Sequence, residues 1–99
     1  MARVEFLPSV TEDLRRIIDH LEEHDAEHVR ERLGEIVSAS DVLTANPLIG
    51  RVTRDDLREL VIGRGAHGYI ALYRYVDALD AVFVLAVRAQ REGGYARDT

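Results

Sequence analysis

In the first half of the chain, the apolar residues change from an alternating to a helical spacing. Ala2, Val4 and Phe6 alternate with Arg3 and Glu5, and this period of two predicts a β-strand over residues 2–7. Two longer stretches then repeat with the period of an amphipathic helix. Their apolar positions are Val10, Leu14, Ile17, Ile18 and Leu21 in the first, and Val29, Leu33, Ile36, Val37 and Leu43 in the second.

Polar residues mark where these two helices are expected to begin and end. Pro8 and Ser9 open the first helix, and Ser9 has capping-box spacing with Glu12. Asp25 is the expected N-cap of the second helix, and the Asn-Pro pair at 46–47 ends it. Because the connection is short, the helices are predicted to be antiparallel neighbours.

After a loop at residues 46–56, the period of the apolar positions changes from 3.6 to 2. Residues 57–62, 69–76 and 81–88 are predicted strands, joined by a glycine-rich turn at 63–68 and a four-residue hairpin loop at 77–80. The last strand is apolar almost throughout, as expected of a central strand with helices on one face. The sequence therefore predicts an α+β fold: an N-terminal strand, an antiparallel helical hairpin and a three-stranded antiparallel meander.

Size and composition narrow the class of protein. A chain of 99 residues is expected to form one domain, and the lack of cysteine excludes disulfides and thiolate metal sites. No signal peptide or membrane-length apolar segment is evident, so a soluble cytoplasmic protein with no membrane partner is expected. The net charge is −5, which argues against general nucleic-acid binding. The acidity lies in residues 1–48, with eleven acids and five arginines.

Two motifs have the spacing of known binding sites, but their sequence context does not support such a site. Residues 63–68 match G-x-G-x-x-G, but they lead into a predicted strand rather than a helix, so we interpret them as a turn and not as a nucleotide site.

His20, His24 and His28 have a spacing of four, which can place zinc ligands on one helix face. Asp25 is expected to interrupt the helix between them. No cofactor and no metal site is predicted.

The second half of the chain supplies basic residues that could jointly bind a phosphate or carboxylate. They are Arg51, Arg58, Arg64, Arg74, Arg88 and Arg91, with His67 and Tyr95 as a candidate acid and base. The alternative is that arginines such as Arg58 and Arg74 lie on the sheet surface, paired with acids such as Glu59. No Ser-His-Asp arrangement is evident.

Four segments of the chain resemble one family of proteins. Residues 46–51 (NPLIGR), 57–63 (LRELVIG), 68–75 (GYIALYRY) and 84–95 (VLAVRAQREGGY) are similar to the RelE/ParE superfamily, the toxins of bacterial type II toxin–antitoxin modules. The resemblance covers essentially the whole chain and is closest to the ParE branch, often called plasmid stabilisation proteins. It implies growth arrest when the toxin is expressed alone.

The superfamily has two activities on one scaffold, so the site residues have to distinguish them. RelE-type members cleave messenger RNA on the ribosome and carry basic residues at positions that match Glu59, Val61 and Ile70 here. A carboxylate and two aliphatic side chains cannot stabilise the charge of a transferring phosphate. The resemblance therefore favours a ParE-type inhibitor of DNA gyrase that is not an enzyme.

The resemblance also implies two binding partners. DNA gyrase is expected to contact Arg88, Arg91 and Tyr95, with Arg51 and Arg64 as further candidates. A cognate ParD-like antitoxin is expected to form a hetero-oligomer with the chain through its apolar helix stripes, and no direct sequence-specific contact with nucleic acid is expected. The predicted antitoxin-binding residues are Leu14, Ile17, Ile18, Leu21, Leu33 and Ile36.

Two alternatives remain open at this stage. One is a ribosome-dependent mRNA endonuclease with a rearranged catalytic site made of Arg64, His67, Arg91 and Tyr95. The other is a decayed toxin that retains only antitoxin binding. Messenger-RNA cleavage distinguishes the first of these from a gyrase inhibitor, and a missing growth phenotype would identify the second.

Overall fold

A computed structural model of the protein describes residues 1–63 and 68–91. Strand β1 (Arg3–Phe6) precedes helix α1 (Ser9–His24), a 3₁₀ turn (Ala26–His28) and helix α2 (Val29–Ala45). Four strands follow, β2 (Arg51–Val52), β3 (Leu57–Ile62), β4 (Tyr69–Val76) and β5 (Ala81–Ala89), with a 3₁₀ turn (Asp77–Leu79) before the last. In the described part of the chain, no helix is long and apolar enough to cross a membrane.

The strands form one mixed sheet in the order β1-β5-β4-β3-β2. The predicted α+β class and the antiparallel meander of β3, β4 and β5 are confirmed. The prediction was incomplete at both edges. Strand β1 joins the meander by pairing parallel to β5, and β2 lies inside the predicted loop and pairs with β3. The sheet therefore has five strands, and β5 has a neighbour on each side.

The helices cover one face of this sheet. The main core joins helix residues such as Ile17 and Ile36 to Tyr73 of β4 and to Val82 and Val84 of β5. The opposite face has a second, smaller cluster without helix residues, formed by Leu57, Leu72 and Ala86. We call this second side of the sheet the open face. The apolar character of β5 follows from its contribution to both clusters.

Side chains of α1 bind the edge of β5 where β1 ends. Leu7 N–H donates to the Val84 carbonyl at 3.0 Å. In the described part of the chain, no strand pairs with this edge of β5 after Val84. Ser9 Oγ instead donates to the Leu85 carbonyl at 3.2 Å, and the buried Asp13 carboxylate accepts from Val87 N–H at 2.9 Å. The register shift opposite Leu72 and Tyr73 leaves Leu85 as a bulge. One turn of helix thus satisfies the backbone groups that a strand would otherwise bind.

Both predicted helix caps are wrong. Pro8 rather than Ser9 occupies the N-cap of α1, and the Ser9 hydroxyl donates to the Leu85 carbonyl. Asp25 ends α1 and lies at the N-cap of the 3₁₀ turn rather than of α2, without a side-chain cap hydrogen bond. Its carboxylate lies 2.5 Å from His28 Nδ1. The predicted end of the second helix is confirmed, since the Asn46 N–H bonds to the Val42 carbonyl.

The loop before β3 is held by hydrogen bonds to the sheet. Gly50 N–H donates to the Tyr73 hydroxyl at 2.8 Å. Arg58 Nη1 donates to the carbonyls of Leu48, at 3.0 Å, and of Gly50, at 2.9 Å. A Cβ atom at position 50 would lie 2.7 Å from the Tyr73 side chain, so only glycine permits this approach. These contacts fix the position at which Arg51 enters the sheet.

Candidate functional site

The open face carries positions 59, 61 and 70, which the resemblance singled out in the sequence. In the strand register, Val61 pairs with Ile70, and Ile70 pairs with Arg88. Glu59 pairs with Leu72 on one side and with Arg51 on the other. Neighbours in register project to the same face of a sheet. The open face therefore presents an aliphatic row that ends at Arg88, beside a row in which Arg51 and Glu59 are adjacent.

The charged groups of the open face are engaged with the protein. Arg51 Nη2 lies 2.9 Å from Glu59 Oε1, although the arginine side chain is 81% exposed. Arg74 donates to the Asp55 carbonyl at 3.1 Å, and Arg88 donates to the Ala89 carbonyl at 3.2 Å. The alternative interpretation of the arginines is therefore correct only in part. Arg74 is exposed on the sheet surface, but it bonds to a backbone carbonyl. Arg58 bonds to loop carbonyls, and Glu59 pairs with Arg51.

The predicted gyrase-contact residues do not form one cluster. Arg88 is half-buried on the open face, whereas Arg91 is exposed just beyond β5 and lines a pocket on the helix side. Arg51 lies on β2, three strand positions from β5, which separates it from Arg88 by about 14 Å or more at the usual strand spacing. Arg64, His67 and Tyr95 lie outside the described residues. The structure therefore places Arg51 and Arg88 on one face and Arg91 on the other side.

A pocket of about 590 Å³ lies on the helix side, between α1 and the adjoining ends of β4 and β5. We call it the basic pocket. Its described lining residues are Arg16, Ile17, His20, Leu21, His24, Asp25, His28, Arg32, Gly68, Tyr69, Ala89 and Arg91. Apolar side chains from the core thus meet a group of arginines and histidines.

The three histidines approach one another despite the break in the helix. The rings of His20 and His24 are stacked, with centroids 4.4 Å apart, and His24 Nδ1 lies 3.1 Å from the His20 carbonyl oxygen. His28 follows the break on the 3₁₀ turn, where its Nδ1 lies 2.5 Å from Asp25 Oδ1. The predicted interruption at Asp25 is confirmed. It does not exclude any of the three histidines from the pocket.

Ion pairs set the electrostatics of the pocket wall. The hydrogen bond to the Asp25 carboxylate, and then its negative charge, raise the pKa of His28 above 6.5. Arg32 pairs with Glu35 at 3.2 Å and lies 3.9 Å from Asp25. Arg16 pairs with Asp13 at 3.2 Å. Burial raises the pKa of the Tyr69 hydroxyl, which keeps it neutral and able to donate a hydrogen bond.

The pocket does not present a metal-binding cluster. Among the residues that the structure describes, no group of three or more histidines and carboxylates could hold a metal ion. The stacked rings and the bond between His28 and Asp25 direct the imidazoles toward other partners.

The predicted antitoxin-binding residues divide into two sets. Ile17, Leu21 and Ile36 are buried in the core of the chain itself, although Ile17 and Leu21 also line the basic pocket. Leu14, Ile18 and Leu33 are half-buried. Leu14 also packs against the main core. Leu14, Ile18 and Leu33 are therefore the members that keep some surface available to a partner.

Sequence reasoning did not connect Arg16 and Arg32 with the histidines. The spacing of His20, His24 and His28 indicates a possible metal site, and it does not by itself indicate a pocket shared with arginines. Both arginines follow the same helical faces as the histidines, at positions 16 and 20 and at positions 28 and 32. That four-residue spacing was the available signal.

Known structures place the fold in the class of RelE/ParE-like toxins. The chain is similar to one described as the chromosomal ParDE toxin–antitoxin system from P. aeruginosa, with TM-score 0.73 and 22% identity over 90% of this chain and 96% of that one. The RelBE2 toxin–antitoxin complex from Mycobacterium tuberculosis gives TM-score 0.57 and 23% identity, covering 90% and 98% of the two chains. The intact RelBE complex from E. coli gives 0.57 and 21%, covering 92% and 100%.

A family model identifies the branch. The model described as the ParE toxin of the type II toxin–antitoxin system, parDE, matches residues 4–93. The chain therefore belongs to the ParE toxin family, within the RelE/ParE superfamily. No match was found among curated protein sequences.

Proposed function

We propose that this ParE-family toxin inhibits DNA gyrase by binding to it and catalyses no reaction itself. A cognate ParD-like antitoxin neutralises it in a hetero-oligomeric complex. The family supports the toxin role, and the open face supports the absence of ribonuclease chemistry. Arg51 and Arg88 are the proposed gyrase contacts of the open face, Arg91 is the proposed contact on the helix side, and Arg64 and Tyr95 remain proposed contacts.

The aliphatic row on the open face is the observation that carries this proposal. A ribonuclease site needs cations beside the transferring phosphate, together with a general acid and base. Here Val61 and Ile70 adjoin Arg88 in register, and the nearby Glu59 carboxylate is paired with Arg51. An aliphatic surface with arginines at its margins is typical of a protein–protein contact, in which arginines often contribute strongly to affinity.

The antitoxin is proposed to bind along the helical hairpin. The similar structures from P. aeruginosa, M. tuberculosis and E. coli are described as toxin–antitoxin systems or complexes. On this chain, Leu14, Ile18 and Leu33 offer half-buried apolar surface on the two helices. An amphipathic segment that orders on binding would fit such a surface.

A gyrase assay with purified protein tests the proposal. We expect inhibition of supercoiling and accumulation of linearised plasmid, both of which disappear when the product of the neighbouring gene is added. Unperturbed gyrase at doses that arrest growth would contradict the proposal. A parallel reaction in a translation extract would then show whether messages are cleaved on ribosomes.

A further inference from the structure

The basic pocket concentrates cationic side chains within an acidic chain. The protein has a net charge of −5, yet six basic residues line this pocket: Arg16, His20, His24, His28, Arg32 and Arg91. Asp25 is the only carboxylate among the described lining residues, and its oxygens already lie 2.5 Å from His28 and 3.9 Å from Arg32. Basic side chains therefore outnumber carboxylates among the described lining residues, although Arg16 and Arg32 also pair with Asp13 and Glu35, which lie outside that lining.

The shape and floor of the pocket suit a small molecule. Its volume of about 590 Å³ falls within the range of roughly 300–1,000 Å³ that is usual for small-molecule sites. The core residues Ile17 and Leu21 supply an apolar floor, and Ala89 and Tyr69 continue it onto the sheet. An apolar floor beneath a cationic rim matches a ligand with a compact anionic group and a less polar body.

We infer that the basic pocket is a binding site for a phosphate-bearing small molecule. A phosphate presents three strong acceptor oxygens and a charge of about −1.5 to −2, which guanidinium groups match in a bidentate geometry. A single carboxylate has too few oxygens for so many donors, and Asp25 already occupies that role on one wall. The inference does not rest on the proposed function, although Arg91 is also a proposed gyrase contact and Ile17 and Leu21 are predicted antitoxin-binding residues.

Isothermal titration of the full-length chain with inorganic pyrophosphate tests the inference. We expect pyrophosphate to bind at millimolar concentration or below at about pH 7, where a phosphate group is ionised and the pH is well above the sequence pI of about 5.3. Failure to bind at millimolar pyrophosphate would overturn the inference, and so would equal binding of succinate.

Matched variants separate the pocket from the general field of the protein. Arg91→Gln and Arg15→Gln each remove one positive charge from an exposed residue, but only Arg91 is among the described lining residues. We expect Arg91→Gln to weaken pyrophosphate binding at least fivefold and Arg15→Gln to leave it nearly unchanged. The double variant His20→Gln/His24→Gln, which changes two further lining residues, should also weaken binding. Equal effects of the two arginine variants, or unchanged binding in the double variant, would contradict the assignment.

Discussion

At the residue scale, Gly50 shows how one missing side chain fixes a loop. Its backbone approaches Tyr73 so closely that the Tyr73 hydroxyl accepts its N–H at 2.8 Å. The hydroxyl and ring would both lie 2.7 Å from a Cβ atom, and the Glu59 carbonyl would lie at 2.8 Å. Two of these three atoms belong to a fully buried tyrosine and one to the backbone, so none can move at low cost.

We predict that Gly50→Ala destabilises the protein by about 1–3 kcal/mol, because overpacking displaces Tyr73 or the loop. Gly34 is the matched control. A Cβ atom there meets nothing within 4 Å, and Gly34 lies inside α2, so Gly34→Ala should stabilise by roughly 0.5–1 kcal/mol. Urea unfolding midpoints measure both changes. A Gly50→Ala variant as stable as the parent would show that this approach is not tight.

A second residue-scale prediction concerns the histidine at the 3₁₀ turn. The Asp25 carboxylate raises the pKa of His28, so the folded chain binds this proton more strongly than the unfolded chain. The resulting stabilisation is complete below the ordinary pKa of about 6.5, and it is lost as the pH rises through the raised value.

Stability measured by urea unfolding should therefore fall between about pH 6 and about pH 8, and His28→Gln should reduce that fall. Comparing the difference between parent and variant across the pH series removes the contribution of the other titrating groups. Parallel profiles for the two proteins would show that the bond between His28 and Asp25 does not contribute.

At the element scale, the beginning of α1 replaces a strand at the edge of β5. The parallel strand β1 ends at Phe6, and the next backbone groups of β5 bind to Ser9 and Asp13 instead. These residues are four apart, so they lie on the same face of the helix. This explains why a carboxylate that is only 1% exposed lies in an otherwise apolar stripe: it binds a buried N–H group and pairs with Arg16.

We predict that Asp13→Ala costs about 1–3 kcal/mol or more, since it leaves the Val87 N–H buried without an acceptor. Asp13→Asn retains an oxygen at that position and should lose less. The neighbouring Glu12 is exposed, so Glu12→Ala should change stability by less than about 0.5 kcal/mol. Chemical denaturation of the three variants decides between these outcomes. Equal losses for the alanine and asparagine variants would implicate the charge rather than the hydrogen bond.

At the scale of the whole molecule, the sheet separates the proposed gyrase contacts. Arg51 and Arg88 are on the open face, about 14 Å or more apart by strand spacing, whereas Arg91 is on the helix side. A single contact surface on the open face can include Arg51 and Arg88 without Arg91. The face that binds gyrase can therefore be determined by comparing single and double variants.

If gyrase binds the open face, Arg51→Ala and Arg88→Ala should each raise the inhibitory concentration about fivefold or more, as interface arginines often do. Because the residues are well separated, their effects should add within about 0.5 kcal/mol in the double variant. Arg30→Ala, at an exposed position of α2, is the control. If the double variant kept full activity and Arg91→Ala lost activity, gyrase would contact the helix side rather than the open face.

The sequence by itself determined the elements, because their signal is local. The helical stripes and alternating strands follow from residues within one turn or one strand, and the predicted bounds of α1, β3, β4 and β5 and the predicted end of α2 agree closely with the structure. The change of period after residue 56 was sufficient to predict the α+β class. The resemblance to RelE/ParE toxins depended on such segments, and the family model confirmed it.

Only the tertiary structure decided which distant groups meet. The parallel pairing of β1 with β5, and the bonds from Ser9 and Asp13 to β5, join residues more than seventy positions apart. No local periodicity in the sequence encodes such contacts, so the sequence predicts Ser9 only as a helix cap. Arg88 and Arg91 are three residues apart in sequence, but the strand alternation and the end of β5 place them on opposite sides of the sheet. The basic pocket likewise exists only because α1 packs beside the ends of two strands formed by the second half of the chain.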